Sequence, residues 1–119
     1  MKTNHVLVTA ALALCVDPAV AAKGPSYAAV VNDDGSLARG RDAVSSQRVG
    51  PGQYEVVFAA EVHRCAYNAT IGLSGSMGSS VLGTANVAAR NGNKSAVLVQ
   101  TFDAAGNPFN LGFHVIVAC

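Results

Sequence analysis

The chain has 119 residues, of which 50% are apolar and 13% charged, and its formal net charge is +1. This length suits a single domain. Eight basic residues against seven acidic ones leave no excess of positive charge for gripping a phosphate backbone, which argues against a nucleic-acid partner. The apolar content and the lack of like-charge blocks also argue against a disordered chain, so we expect one packed globular domain.

Residues 1–22 have the pattern of a secretory signal peptide. A short basic start precedes an apolar stretch at 6–16, and small residues then occupy the positions needed for cleavage before Lys23. The apolar stretch is too short to span a bilayer, which needs roughly 20 residues. A lipid anchor on Cys15 is the alternative, but Leu14 stands where such signals carry a small residue. The sequence therefore predicts a secreted protein, extracellular or periplasmic, whose mature form has no membrane span.

The mature chain, 23–119, then begins a series of strand-like segments in which apolar residues alternate with period two between Gly, Asn and Asp turns. The predicted strand 26–32 ends at an Asp-Gly turn, and 43–49 ends at Gly-Pro-Gly. The segment 54–58 shows the clearest alternation. The segment 64–72 also separates its polar and apolar faces.

Residues 72–83 contain four Gly and four Ser and predict a long surface loop. Strands are expected next at 84–90, 95–102 and 112–118. The segment 95–102 is apolar on both faces at its start, which favours a central position in a sheet. Seven short strands separated by turns predict an all-β domain, either a single small antiparallel β-sandwich or a jelly-roll-like barrel.

The predicted core comprises the residues that these strands would direct inward. They are Val30, Tyr54, Val56, Phe58, Tyr67, Ile71, Val97, Val99, Phe113, Val115 and Val117.

Cleavage of the signal peptide would leave two cysteines, Cys65 and Cys119. An even number in an oxidising compartment predicts one disulfide, here in or beside the core. It would close a loop of about 55 residues, for which chain entropy gives roughly 4 kcal/mol of stabilisation. A zinc site is the alternative, because His63 and Cys65 share a strand face, but a disulfide would consume the thiolate. We assign no metal ligand.

No spacing brings together a nucleophile, a base and an acid. The serines of the 72–83 loop lack the Gly-x-Ser-x-Gly pattern, and His63, His114 and Asp103 lie elsewhere in the sequence. Glu55 is expected on an outward strand face, which weakens a carboxylate pair with Glu61. The sequence therefore predicts a protein that is not an enzyme and has no cofactor.

Two motifs, 65–72 (CAYNATIG) and the C-terminal 112–119 (GFHVIVAC), stand in an order that resembles a group of small exported bacterial domains of unknown function. The resemblance covers nearly all of 26–119. It implies a bacterial, disulfide-closed β domain without a known catalytic residue. In addition, a Gly-x-Tyr-x-x-x-Phe strand starting at Gly52 is similar to one in the trimeric jelly-roll heads of the complement C1q type.

The expected function is recognition of an extracellular protein or glycan, or a structural role, by an exported non-enzymatic domain. A self-associating adhesive head is the first alternative, a homotrimer if the C1q similarity holds, with Val81 and Leu82 at the subunit contact. A small hydrolase or metal-binding protein that uses His63 or His114 is the second.

Overall fold

The computed structural model describes residues 24–79 and 81–119, so the predicted signal peptide lies outside the described residues. The described part of the chain folds into eight strands, which pair antiparallel in two four-stranded sheets. The strands are β1 (Ser26–Val31), β2 (Leu37–Arg41), β3 (Ala43–Gly50), β4 (Gln53–Phe58), β5 (Ala66–Ile71), β6 (Gly83–Ala89), β7 (Ala96–Asp103) and β8 (Phe113–Ala118).

The first sheet has the strand order β2-β1-β8-β5 and the second β3-β4-β7-β6. The two sheets pack face to face, which confirms the predicted all-β sandwich. As expected, β7 is a central strand. Among the described residues, no helix has the length and apolar character needed to cross a membrane.

The core lies between the sheets and is built mainly from valine and aromatic side chains. Two aromatic pairs connect the sheets: the ring centroids of Tyr27 and Phe58 lie 5.8 Å apart, and those of Tyr54 and Phe113 lie 5.1 Å apart. These pairs mark the two ends of the sandwich. The buried core residues are Tyr27, Ala29, Val31, Tyr54, Val56, Phe58, Val62, Val97, Val99, Phe113, Val115 and Val117.

The residue of β1 that was predicted for the core, Val30, is buried but lies outside the central cluster. It pairs with His114 on the outer face of the first sheet, and the cluster takes Ala29 and Val31 instead. This segment is apolar on both faces, so alternation alone could not orient it. Of the other predicted core residues, Tyr67 is half-buried against the cluster, while Ile71 is half-buried outside it.

The sequence pattern missed β2, which consists of Leu-Ala-Arg-Gly-Arg and shows no alternation of apolar residues. It becomes a strand because β1 supplies backbone partners for four of its five residues. Asp42 alone then connects β2 to β3 with a positive φ of 54°, and the chain passes there from the first sheet to the second.

The predicted disulfide is confirmed. Cys65 and Cys119 are bonded, with their Cα atoms 4.4 Å apart, and they extend the β5–β8 pair by one position beyond Ala66 and Ala118. Cys65 packs against the core, as expected for a bridge beside it. The bond removes the thiolate that a zinc site with His63 would need.

A glycine in the β3–β4 turn is required by both its φ and its surroundings. Gly52 has a φ of 62°, and a Cβ there would lie 2.6 Å from the Thr101 carbonyl oxygen. Gly92 has a φ of 90°, but a Cβ there would meet nothing within 4 Å. We expect Gly52→Ala to lower the free energy of unfolding by about 2–4 kcal/mol and Gly92→Ala by only about 1 kcal/mol. Urea unfolding measures both, and equal losses would contradict this account.

Candidate functional site

An open cleft of about 730 Å³ occupies the end of the sandwich opposite the disulfide. It lies among the β1–β2 turn, the β5–β6 segment and the β7–β8 segment. Apolar side chains form most of its lining: Ile71, Leu73, Met77, Val81, Leu82, Phe109 and Leu111.

Exposed apolar side chains are concentrated in this cleft. The described residues include eight large hydrophobic side chains that are exposed to solvent, and five of them line the cleft. Met77 is 85% exposed and Leu82 is 81% exposed. A contiguous apolar surface of this kind marks an interaction site more often than scattered single residues do. Val81 and Leu82, predicted as a subunit contact, both lie in it.

The first residues of the β5–β6 segment form one wall of the cleft and are held by hydrogen bonds. They belong to the stretch that the sequence predicts as a long surface loop. The Arg39 guanidinium donates to the Ser74 carbonyl at 2.6 Å, and Nε2 of His114 donates to the Leu73 carbonyl at 2.8 Å. Gly72 lies close to the imidazole, because a Cβ there would be 3.0 Å from its Cδ2 atom. These contacts hold the start of the segment to the first sheet.

The β7–β8 segment forms the opposite wall and is held just as firmly. Thr101 is fully buried, and its hydroxyl donates to the Phe109 carbonyl at 2.5 Å. The Phe109 amide donates back to the Thr101 carbonyl, and Oδ1 of Asn110 accepts from the Gly52 amide. These bonds fix the parts of the cleft formed by Leu73, Ser74 and Phe109.

Two aspartates, Asp33 and Asp103, are among the lining residues. Oδ1 of Asp103 accepts hydrogen bonds from the amides of Ala105 and Asn107. The backbone at Asp33 is held by the Tyr54 hydroxyl, which donates to its carbonyl at 2.7 Å. Burial raises the pKa of Tyr54, so this hydroxyl stays protonated and remains a donor well above neutral pH. No Lys, Arg or His lines the described part of the cleft.

The two histidines named in the enzyme alternative lie in different parts of the structure and have different partners. His63 lies in the β4–β5 connection, with Nδ1 3.8 Å from Oε1 of Glu61, whereas His114 is bonded to a backbone carbonyl beside the cleft. Glu55 is paired with Arg90 at 2.9 Å on the second sheet. Within residues 24–79 and 81–119, no group of three His, Cys, Asp or Glu is placed to hold a metal ion.

Sequence reasoning found only part of this site. It identified Val81 and Leu82 but not the opposite wall at Phe109, which lies between the predicted strands 95–102 and 112–118. An aromatic residue directly after Asn107-Pro108 was the available signal.

Comparison of the chain with known protein families, curated proteins and solved structures finds no match.

Proposed function

We propose that this chain is an exported, non-enzymatic β domain that acts by binding, and that the cleft is its recognition site. The observation that carries this proposal is the concentration of exposed apolar side chains in one cleft of about 730 Å³. That volume falls within the range of roughly 300–1,000 Å³ seen for small-molecule sites. The disulfide is compatible with secretion.

The lining favours a compact hydrocarbon ligand over the glycan that the sequence left open. A glycan presents many hydroxyl groups, and each one buried without a hydrogen-bond partner carries a desolvation cost. Leu73, Met77 and Leu82 offer no side-chain hydrogen bonds, whereas their exposed apolar surface gains free energy when a hydrocarbon covers it.

Substitution of Leu82 tests the proposal with a neutral probe, 1-adamantanol, in an NMR titration of the exported protein. The probe is expected to shift the amide signals of Leu73 and Leu111 and to leave those around Cys65 unchanged. Leu82→Asp should weaken binding at least about tenfold, because it removes apolar contact and introduces a charge that binding would desolvate. Ile116→Asp is the matched control, since Ile116 is exposed on the first sheet and outside the cleft. Equal affinity of both variants would contradict the proposal.

Self-association is a second candidate, favoured by the exposure of Val81 and Leu82 at 57% and 81%. In this case the apolar surface would be covered by further copies of the chain, as in a trimeric adhesive head. Sedimentation across a concentration series separates the two candidates. A mass that remains monomeric at every concentration would eliminate the second.

A further inference from the structure

We propose that the cleft selects positively charged amphiphiles, that is, compact hydrocarbons that carry an ammonium or guanidinium group. The inference rests on the proposed function and adds the charge of the ligand to it. It follows from where the chain places its acidic and basic side chains relative to the apolar lining.

The charge of the cleft differs in sign from that of the chain around it. Residues 23–119 include seven basic and six acidic side chains. Two of the acids, Asp33 and Asp103, line the cleft, and none of the bases does. Ser80, which lies outside the described residues, is uncharged. The charged side chains among the described lining residues are therefore all negative, although the domain has a net charge of +1.

The bases near the cleft lie outside its lining. Arg39 and His114 donate to the carbonyls of Ser74 and Leu73 from the first sheet, and they hold a wall of the cleft without lining it. Arg48 lies near Asp34, whose pKa is held below its usual value mainly by hydrogen bonds from Ser36 and to a smaller extent by the Arg48 charge.

Both carboxylates of the cleft are attached to fixed backbone. The hydrogen bonds that Asp103 accepts from the amides of Ala105 and Asn107 both go to Oδ1, and neither of them uses Oδ2. The Asp33 backbone is held by Tyr54 from the core. Fixed negative charges beside an apolar surface attract a cationic headgroup and repel an anionic one. Each exposed charge pair changes affinity by a few-fold, so two carboxylates should separate cation from anion by about tenfold.

Three probes with one hydrocarbon cage measure this selectivity: 1-adamantylammonium, 1-adamantanol and 1-adamantanecarboxylate. In NMR titrations of the exported protein at low salt, the ammonium is expected to bind about tenfold more tightly than the carboxylate, with the alcohol between them. High salt should reduce the difference, because it screens exposed charges.

The double variant Asp33→Asn, Asp103→Asn removes both charges. The side-chain oxygen of asparagine at position 103 can still accept the hydrogen bonds from the amides of Ala105 and Asn107. The double variant is expected to bind all three probes with similar affinity, and Asp33→Asn alone should remove part of the preference without affecting the Asp103 turn. Glu61→Gln is the matched control, because Glu61 lies outside the cleft, next to His63, and its loss should leave the preference unchanged.

The outcomes separate this inference from the proposed function. If the wild type binds all three probes equally in the cleft, or prefers the carboxylate, the charge selectivity is overturned and the recognition site stands. If no probe shifts the signals of the cleft residues, both are overturned.

Discussion

Removal of the Cys65–Cys119 disulfide is expected to lower the free energy of unfolding by about 4 kcal/mol. The cysteines are 54 positions apart, and a bridge over such a loop restricts the unfolded chain strongly. A domain of this size has only about 5–15 kcal/mol of stability in total, so the loss is a large share of it. Urea unfolding of the double variant Cys65→Ser, Cys119→Ser measures the effect.

Reduction provides the control for this experiment. A thiol reductant should shift the unfolding midpoint of the wild type towards that of the double variant, because both then lack the bridge. The same reductant should leave the double variant unchanged. A double variant with the midpoint of the oxidised wild type would show that the β5–β8 pairing holds the chain end without the bridge.

The sequence was informative about strands with one polar and one apolar face. Alternation in β4 correctly predicted that Tyr54, Val56 and Phe58 point into the core, because a strand with one solvent-facing side must separate its residues in this way. It gave no information about β2, an edge strand whose side chains are mostly exposed. That strand depends on hydrogen bonds from β1, and a pattern within five residues cannot show them.

The candidate site was less predictable than the core because its walls are far apart in the sequence. Leu82 could be identified as an apolar residue in a Gly-rich and Ser-rich loop. The position of that loop depends on Arg39, which is 35 residues away from its partner Ser74. The opposite wall depends on the bonds between Thr101 and Phe109. Both contacts form only when the strands around them have paired, so no pattern within one segment shows them.

The second large effect is expected at Phe113, the first residue of β8. Phe113→Ala should lower the free energy of unfolding by about 3–5 kcal/mol, the usual cost of emptying a buried aromatic site. The ring is fully buried and packs edge-on against Tyr54, with centroids 5.1 Å apart, so its loss would leave a cavity between the sheets. Phe113→Leu should cost less, because it keeps part of the volume.

Phe109, four residues earlier, is the matched comparison. It is 54% exposed and lines the cleft, and the bonds that fix it come from its backbone. Phe109→Ala should therefore change stability by no more than about 0.5 kcal/mol, as surface substitutions usually do. Its effect should appear instead as weaker binding of 1-adamantanol.

These opposite outcomes separate the core of the sandwich from its binding surface. The two residues belong to the same short stretch of chain, so a general weakness of that stretch would affect both variants alike. A large loss of stability in Phe109→Ala would mean that the ring supports the fold, and the cleft would then have to be reinterpreted as part of the core. A small loss in Phe113→Ala would show that the sheets close over the cavity.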